Sequence, residues 1–320
     1  MISLITKERG AHPMKIAVFG IGGVGGILGG ALARRHDETY FYVRGDNLRA
    51  IRDRGLLVES ALLGNFTAHP KVASDNAHEL GLMDVIFVCC KGYSLKAACE
   101  TISPMVGPQT VVIPLLNGVI VSDLMEPLLP PCTLADATIH VFSRLEGAGH
   151  IVQSAGQCSV VFGMKDGSRP ACFADIAAVL NEAGVKATLS ENILVDSWAK
   201  YALMCGNSVV FCCYDGPAGK VHQDPGHGRV LRAVIDELLT VAAAQGVVLP
   251  DSFADRYVDE FEHLPPDTMS SLYRDLQSEK PAAQTELFHI IGRMVEFGKQ
   301  LGIDTPYHKK AIDRFSAQGT

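Results

Sequence analysis

No apolar run in this sequence reaches the ~18 residues that a membrane-spanning helix requires. Residues 1–13 (MISLITKERGAHP) lack the long apolar core of a secretory signal, so they read as an extension, with Met14 or Met1 as the start. No block of Lys and Arg stands out, and the formal charge is −7, so nucleic acid is not an expected partner. The nine cysteines form no C-x-x-C pair, and no His stands at zinc-finger spacing, so no metal site is expected. They read instead as free thiols in a reducing cytoplasm. What is present is the composition of a globular protein, 48% apolar and 20% charged, long enough at 320 residues for two domains.

The first half alternates short apolar runs with helical patterns. Lys15–Phe19 reads as a buried strand, followed by a Gly-rich turn and a helix over about Val24–Arg35. Thr39–Val43 reads as a second strand, rich in aromatic and β-branched residues. Asp84–Cys90 and Thr110–Leu115 are continuous apolar runs, as in parallel sheets covered on both faces, with a helix over Ser94–Ile102 between them. This alternation predicts a doubly wound parallel sheet. The stretch from about Thr133 to Gly163 reads as two or three more strands at its far side, then a helix over Arg169–Ala183 and a last strand at Val185–Leu189. Beyond residue 190 the strand signal stops. Ile193–Val210, Arg229–Gln245 and Glu286–Leu301 read as helices, which predicts an α/β domain over 14–190 and an all-α domain over 191–320.

Gly20-Ile21-Gly22-Gly23-Val24-Gly25 matches G-x-G-x-x-G between a strand and a helix, where a dinucleotide pyrophosphate is held. Gly20 allows the turn, Gly22 lets the backbone approach the phosphates, and Gly25 lets the helix pack on the strand. A helix N-terminus then presents unpaired N–H groups to the anion. The second strand ends in Arg44 rather than a carboxylate, which suits the 2′-phosphate of NADPH; Asp46 nearby leaves some use of NADH open.

Reduction of a ketone places negative charge on oxygen, which an ammonium can stabilise and protonate. Lys200, just after the only tryptophan, Trp198, is one candidate. It shares a helical stripe with Met204, Asn207 and Ser208, beside the apolar stripe of Trp198, Ala202 and Cys205. By spacing alone such a Lys is more often a surface residue. Glu286, in a first helical turn, is equally ambiguous. Lys91 and Asn117 each follow a buried strand, where open α/β sheets bind ligands.

Taken together, these residues resemble the ketopantoate reductase (2-dehydropantoate 2-reductase) family over 14–306. The resemblance rests on KIAVFGIGGVGGILGGALA at the start, Val43-Arg44-Gly45, Lys91, Leu116-Asn117-Gly118 and Trp198-Ala199-Lys200. It continues with Ser270-Ser271-Leu272-Tyr273-Arg274-Asp275, Thr285-Glu286 and Leu301-Gly302-Ile303-Asp304-Thr305-Pro306. It implies a Rossmann domain, a helical domain like the C-terminal domain of 6-phosphogluconate dehydrogenase, and a cleft between them. NADP(H) would be the cofactor and a 2-oxo acid the small-molecule substrate, in a monomer or homodimer. Lys200 would be the general acid, and Glu286 would hold it and the substrate. Asn117 and Lys91 would lie near the nicotinamide, and Ser271 would help hold the substrate carboxylate.

Four positions depart from the family pattern. Met204 and Ser208 stand where it has Asn four and eight residues after the Lys; Asn207 is a candidate replacement. Ala218 and Ile291 replace two further Asn residues. Losing amide donors changes or relaxes substrate choice. Three readings follow: ketopantoate reduction for pantothenate synthesis, reduction of a more apolar 2-oxo acid by the same chemistry, and a non-catalytic NADP-binding protein.

Overall fold

The computed structural model describes residues 13–278 and 280–316, so the extension expected at 1–13 falls, apart from Pro13, outside the described residues. Strands run in the order β1 (Ile16–Phe19), β2 (Thr39–Tyr42), β3 (Leu56–Ser60), β4 (Phe66–Ala68), β5 (Val72–Ser74) and β6 (Val85–Val88). They continue with β7 (Val111–Pro114), β8 (Thr133–Leu134), β9 (Asp136–Gly147), β10 (His150–Gly163) and β11 (Lys186–Leu189). Six of these form a parallel sheet in the order β5-β2-β1-β6-β7-β8. In β1, Ile16 and Val18 enter one core while Ala17 and Phe19 enter another. Burial on both faces is why this strand shows no polar alternation in the sequence.

The helices of this half are α1 (Gly23–Ala33), α2 (Gly45–Arg54), α3 (Ala77–Leu80), α4 (Leu95–Ile102), α5 (Val121–Met125) and α6 (Cys172–Glu182). Helices α3, α4 and α5 cover one face of the sheet through Leu80, Leu95, Ile102 and Met125. The other face is covered differently from the expectation. Only β8 extends the parallel sheet; β9 and β10 leave it as a long antiparallel hairpin. The other side of β10 pairs with β3 along its first half and β11 along its second, and β4 closes the edge of this second sheet. Outer residues of β9 are exposed, so this strand suits a sheet with one wet face. Helix α1 lies between the two sheets, with Ile27, Leu28 and Leu32 packed among Phe41, Val58 and Ile151. Close approach needs bare backbone: a Cβ at Gly30 would come 2.7 Å from Val58 Cγ2.

Helix α7 (Ile193–Tyr214) begins the helical half and runs past the expected end at Val210. Asn192 caps it, accepting from the Val195 amide at 3.3 Å. It is followed by α8 (Ala218–His222), α9 (His227–Ala244), α10 (Phe253–Glu262), α11 (Ser271–Leu276), α12 (Arg293–Leu301) and α13 (Pro306–Ser316). Trp198, Ala202 and Cys205 of α7 pack with Leu231, Val234, Leu238 and Val241 of α9 in one core. The expected continuous helix over Glu286–Leu301 is broken differently. Glu286 precedes it, and Phe288–Gly292 is a π turn leading into α12. Such turns insert one residue and are frequent at functional sites.

Helix α13 is docked by a buried carboxylate. Glu237 of α9 accepts from the Tyr307 and His308 amides, at 2.9 and 3.3 Å, and from His308 Nδ1 at 2.6 Å. Glu237→Leu, which orphans these donors, should lower stability by about 3 kcal/mol in denaturant unfolding. An unchanged midpoint would show that water replaces the carboxylate.

Candidate active site

The Gly-rich turn sits at the C-terminal end of β1. Gly20 has φ +90°, a conformation that L side chains rarely adopt. A Cβ at Gly25 would come 2.0 Å from the Gly20 carbonyl oxygen, so this contact admits only glycine. The first turn of α1 has no side-chain cap, and nothing lies within 4 Å of where a Cβ at Gly22 would be. Bare N–H groups beside open space fit an anionic diphosphate. Ile21 is buried, and Val24 packs against the same core. Gly23 has a further role, because β9 crosses it: a Cβ there would lie 2.6 Å from the Ser143 carbonyl oxygen. Arg44 is exposed at the end of β2, at the N-cap of α2. The Asp46 carboxylate is taken by Arg49.

A second group of polar residues gathers where the helical half meets the ends of β6 and β7. Lys91 Nζ lies 2.7 Å from Glu286 Oε2 and 3.9 Å from Asp275 Oδ2. Glu286 is only 3% exposed, and its carboxylate is paired with the Lys91 ammonium. Burial works against the Lys91 ammonium, but the charge and hydrogen bond of Glu286, joined by Asp275, hold its pKa above the usual lysine value.

Lys200 approaches the same place from α7. Its Nζ donates to the Ile139 carbonyl of β9 at 2.8 Å and reaches Asn117 Oδ1 at 3.5 Å. Both acceptors are neutral. Burial therefore dominates and pushes the Lys200 pKa down to about 8, although the Glu286 charge acts in the opposite direction. Glu286 thus bonds Lys91 rather than Lys200, and reaches Lys200 only through its field. His140, next to Ile139, has a pKa lowered by burial and then by the Lys200 charge. His289, on the π turn three residues after Glu286, meets the Asn117 carbonyl at 2.8 Å.

Lys91, Asn117, Lys200 and Glu286 therefore come together. The other candidates are placed differently. Met204 is half-buried against the helical core. The Asn207 Oδ1 is buried without a protein partner. Ser208 is fully buried, and its hydroxyl donates back to the Met204 carbonyl at 2.8 Å. Ser271 is exposed at the start of α11; its neighbour Ser270 makes the cap. Ala218 and Ile291 are buried in the helical core. Asp275, His140 and His289 were not anticipated as site residues. For His289 a signal exists, since three residues from Glu286 is one helical turn. Among the described residues no group of His, Cys, Asp and Glu could hold a metal ion, and no helix is long and apolar enough to cross a membrane.

The arrangement can stabilise and protonate an oxygen that gains negative charge, with Lys200 as proton source and the Lys91–Glu286 pair as a fixed polar wall. A buried ammonium without a carboxylate partner also costs stability. That cost is fully present below about 8 and fades as pH rises to the ordinary lysine value of 10.5, where the unfolded chain also loses its proton. Lys200→Met should therefore raise the thermal unfolding temperature at neutral pH and raise it less near pH 10.5. A fall at neutral pH would show that the ammonium is well compensated.

Known proteins share this organisation. The family description "Ketopantoate reductase PanE/ApbA" matches residues 16–167, and its C-terminal counterpart matches 192–318. A 2-dehydropantoate 2-reductase of Caulobacter vibrioides is 28% identical over 306 residues, 94% of this chain and 98% of that protein. The crystal structure of a PanE/ApbA family ketopantoate reductase from Ralstonia eutropha superposes with a TM-score of 0.84 at 29% identity, covering 95% of this chain and 98% of that one. A D-mandelate dehydrogenase solved with NADH and anilino(oxo)acetate shares the fold, with a TM-score of 0.82 at 21% identity over 95% of this chain and 98% of that one. With both halves matched in order, the chain belongs to the ketopantoate reductase family, whose members are oxidoreductases acting on CH–OH groups.

Proposed function

We propose that this protein uses NADPH to reduce a 2-oxo acid to the 2-hydroxy acid, with ketopantoate, reduced to pantoate for pantothenate synthesis, as the first substrate to test. The observation that carries this reading is Lys200, whose half-buried side chain holds its ammonium at the ends of β6 and β7 beside Asn117, near the Lys91–Glu286 pair. The uncapped first turn of α1 and the open backbone at Gly22 would hold the pyrophosphate. Arg44, with Asp46 engaged elsewhere, would meet a 2′-phosphate. A bound nicotinamide supplies a hydride to the carbonyl carbon. Lys200 donates a hydrogen bond to the carbonyl oxygen and gives it a proton as charge develops there. With its pKa near 8, most of this lysine is in the acid form at neutral pH, and the proton leaves more easily than from an ordinary lysine. Lys91 offers a cation to the substrate carboxylate, and Glu286 keeps that cation in place.

A second reading keeps the chemistry and changes the substrate. Ser208 has its hydroxyl engaged with backbone, Ala218 and Ile291 are in the helical core, and Met204 is apolar and half-buried. These positions offer few donors to a polar substrate, which favours a more apolar 2-oxo acid. The fold does not choose between them, since D-mandelate dehydrogenase shares it. A non-catalytic role is disfavoured because it gives no reason to bury Lys200.

Loss of reduced-nicotinamide absorbance with ketopantoate and a panel of other 2-oxo acids tests both readings. Fast, saturable turnover of ketopantoate supports the first. Faster turnover of a bulkier apolar acid supports the second, and no turnover of any removes both. Lys200→Ala should lower kcat about 10²–10⁴-fold with cofactor affinity retained. In the wild type the reduction rate should fall as pH rises through about 8, where Lys200 loses its proton. Arg44→Ala should weaken NADPH about tenfold or more and leave NADH nearly unchanged; equal losses would remove the reason for choosing NADPH.

A further inference from the structure

His289 lies half-buried on the π turn, three residues after Glu286. Its ring meets the loops after both β6 and β7. Nε2 is 2.8 Å from the Asn117 carbonyl, which can only accept, so this nitrogen carries the hydrogen. A Cβ at Gly92 would come 2.1 Å from His289 Cγ, and one at Gly118 would come 2.9 Å from Nε2. Gly118 also has φ +142°, a conformation that favours glycine. The two glycines directly follow Lys91 and Asn117 in the chain. The imidazole is therefore seated between two strips of bare backbone, each next to a residue of the site.

We infer that His289 is a positioning residue: its ring, wedged between Gly92 and Gly118, sets Lys91 against Glu286 and Asn117 against Lys200 across the junction of the two halves. The catalytic consequence rests on the reduction proposed above; the wedge itself does not. The wedge ties the loops after β6 and β7 to the π turn, alongside the Lys91–Glu286 pair just before that turn and the apolar core that Val119 shares with Ile290 and Ile291. The hydrogen bond from Nε2 fixes the backbone of Asn117, and so the place of its amide beside the Lys200 ammonium. Small displacements of such groups cost rate rather than binding.

The test uses His289→Phe, which keeps the ring volume and loses the donor, and His289→Gln, which restores a donor. With the best 2-oxo acid, His289→Phe should lower kcat about tenfold while the KM for the cofactor and the unfolding temperature stay nearly constant, and His289→Gln should recover most of the loss. Gly92→Ala, whose Cβ displaces the ring, should lower kcat in the wild type and add little in His289→Ala. Wild-type kcat in His289→Phe, losses that follow stability alone, or additive losses at 92 and 289 would overturn the inference. A measurement without substrate separates it from the proposed reaction. Nitrogen NMR of the imidazole, assigned by comparison with His289→Phe, should show the single Nε2–H tautomer. A rapidly exchanging tautomer mixture overturns the wedge even in an active enzyme. The single tautomer in a protein that turns over no 2-oxo acid supports the wedge and removes the reaction.

Discussion

A carboxylate almost without solvent, Glu286, and an ammonium from the other half of the chain, Lys91, decide how this molecule is put together. Breaking such a pair leaves an uncompensated charge in a poorly solvated place, which costs several kcal/mol. The chain meets this constraint by bringing the segment before the π turn against the loop after β6. The same pairing leaves Lys200 without a carboxylate of its own. Its ammonium faces a backbone carbonyl and a side-chain amide, both neutral. Two lysines in one site are therefore driven in opposite directions, Lys91 upward by its ion pair and Lys200 downward by burial. Divergent environments for like groups are how one site keeps one of them as a fixed charge and makes the other a proton donor.

The parts of the fold that could be read in the sequence are those where burial is uniform. Strands β1, β6 and β7 are apolar on both faces and show as unbroken runs, and the Gly-rich turn announces itself by spacing. Strands β9 to β11 were read but placed at the far side of the first sheet, and β3 and β4 were missed, because strands of the second sheet alternate or lie partly in solvent. Strand β3 has every other residue fully buried, and the outer part of β9 is exposed. Their partners come from distant segments, a pairing that local patterns do not encode. Likewise Lys91 and Asn117 were legible because they follow buried strands. That Glu286 binds Lys91 rather than Lys200 is a contact between segments 195 residues apart, which local periodicity does not encode.

The positions that the family resemblance reads as departures, Met204, Ser208, Ala218 and Ile291, belong to the helical half. There Ala218 and Ile291 have joined the apolar core, and Ser208 has turned to its own helix backbone. The Lys200 ammonium is instead held by the Ile139 carbonyl and the Asn117 amide, both from the sheet half.

Strand β9 joins the two ends of the site. The carbonyl of Ser143 presses on Gly23 at the Gly-rich turn, and the carbonyl of Ile139 on the same strand holds the Lys200 ammonium. Four residues of extended chain span ~13 Å. The separation between the Gly-rich turn and Lys200 is therefore set by a length of strand rather than of loop. It acts as a ruler between the Gly-rich turn and Lys200, and its graduations are peptide units that no side-chain substitution can shorten.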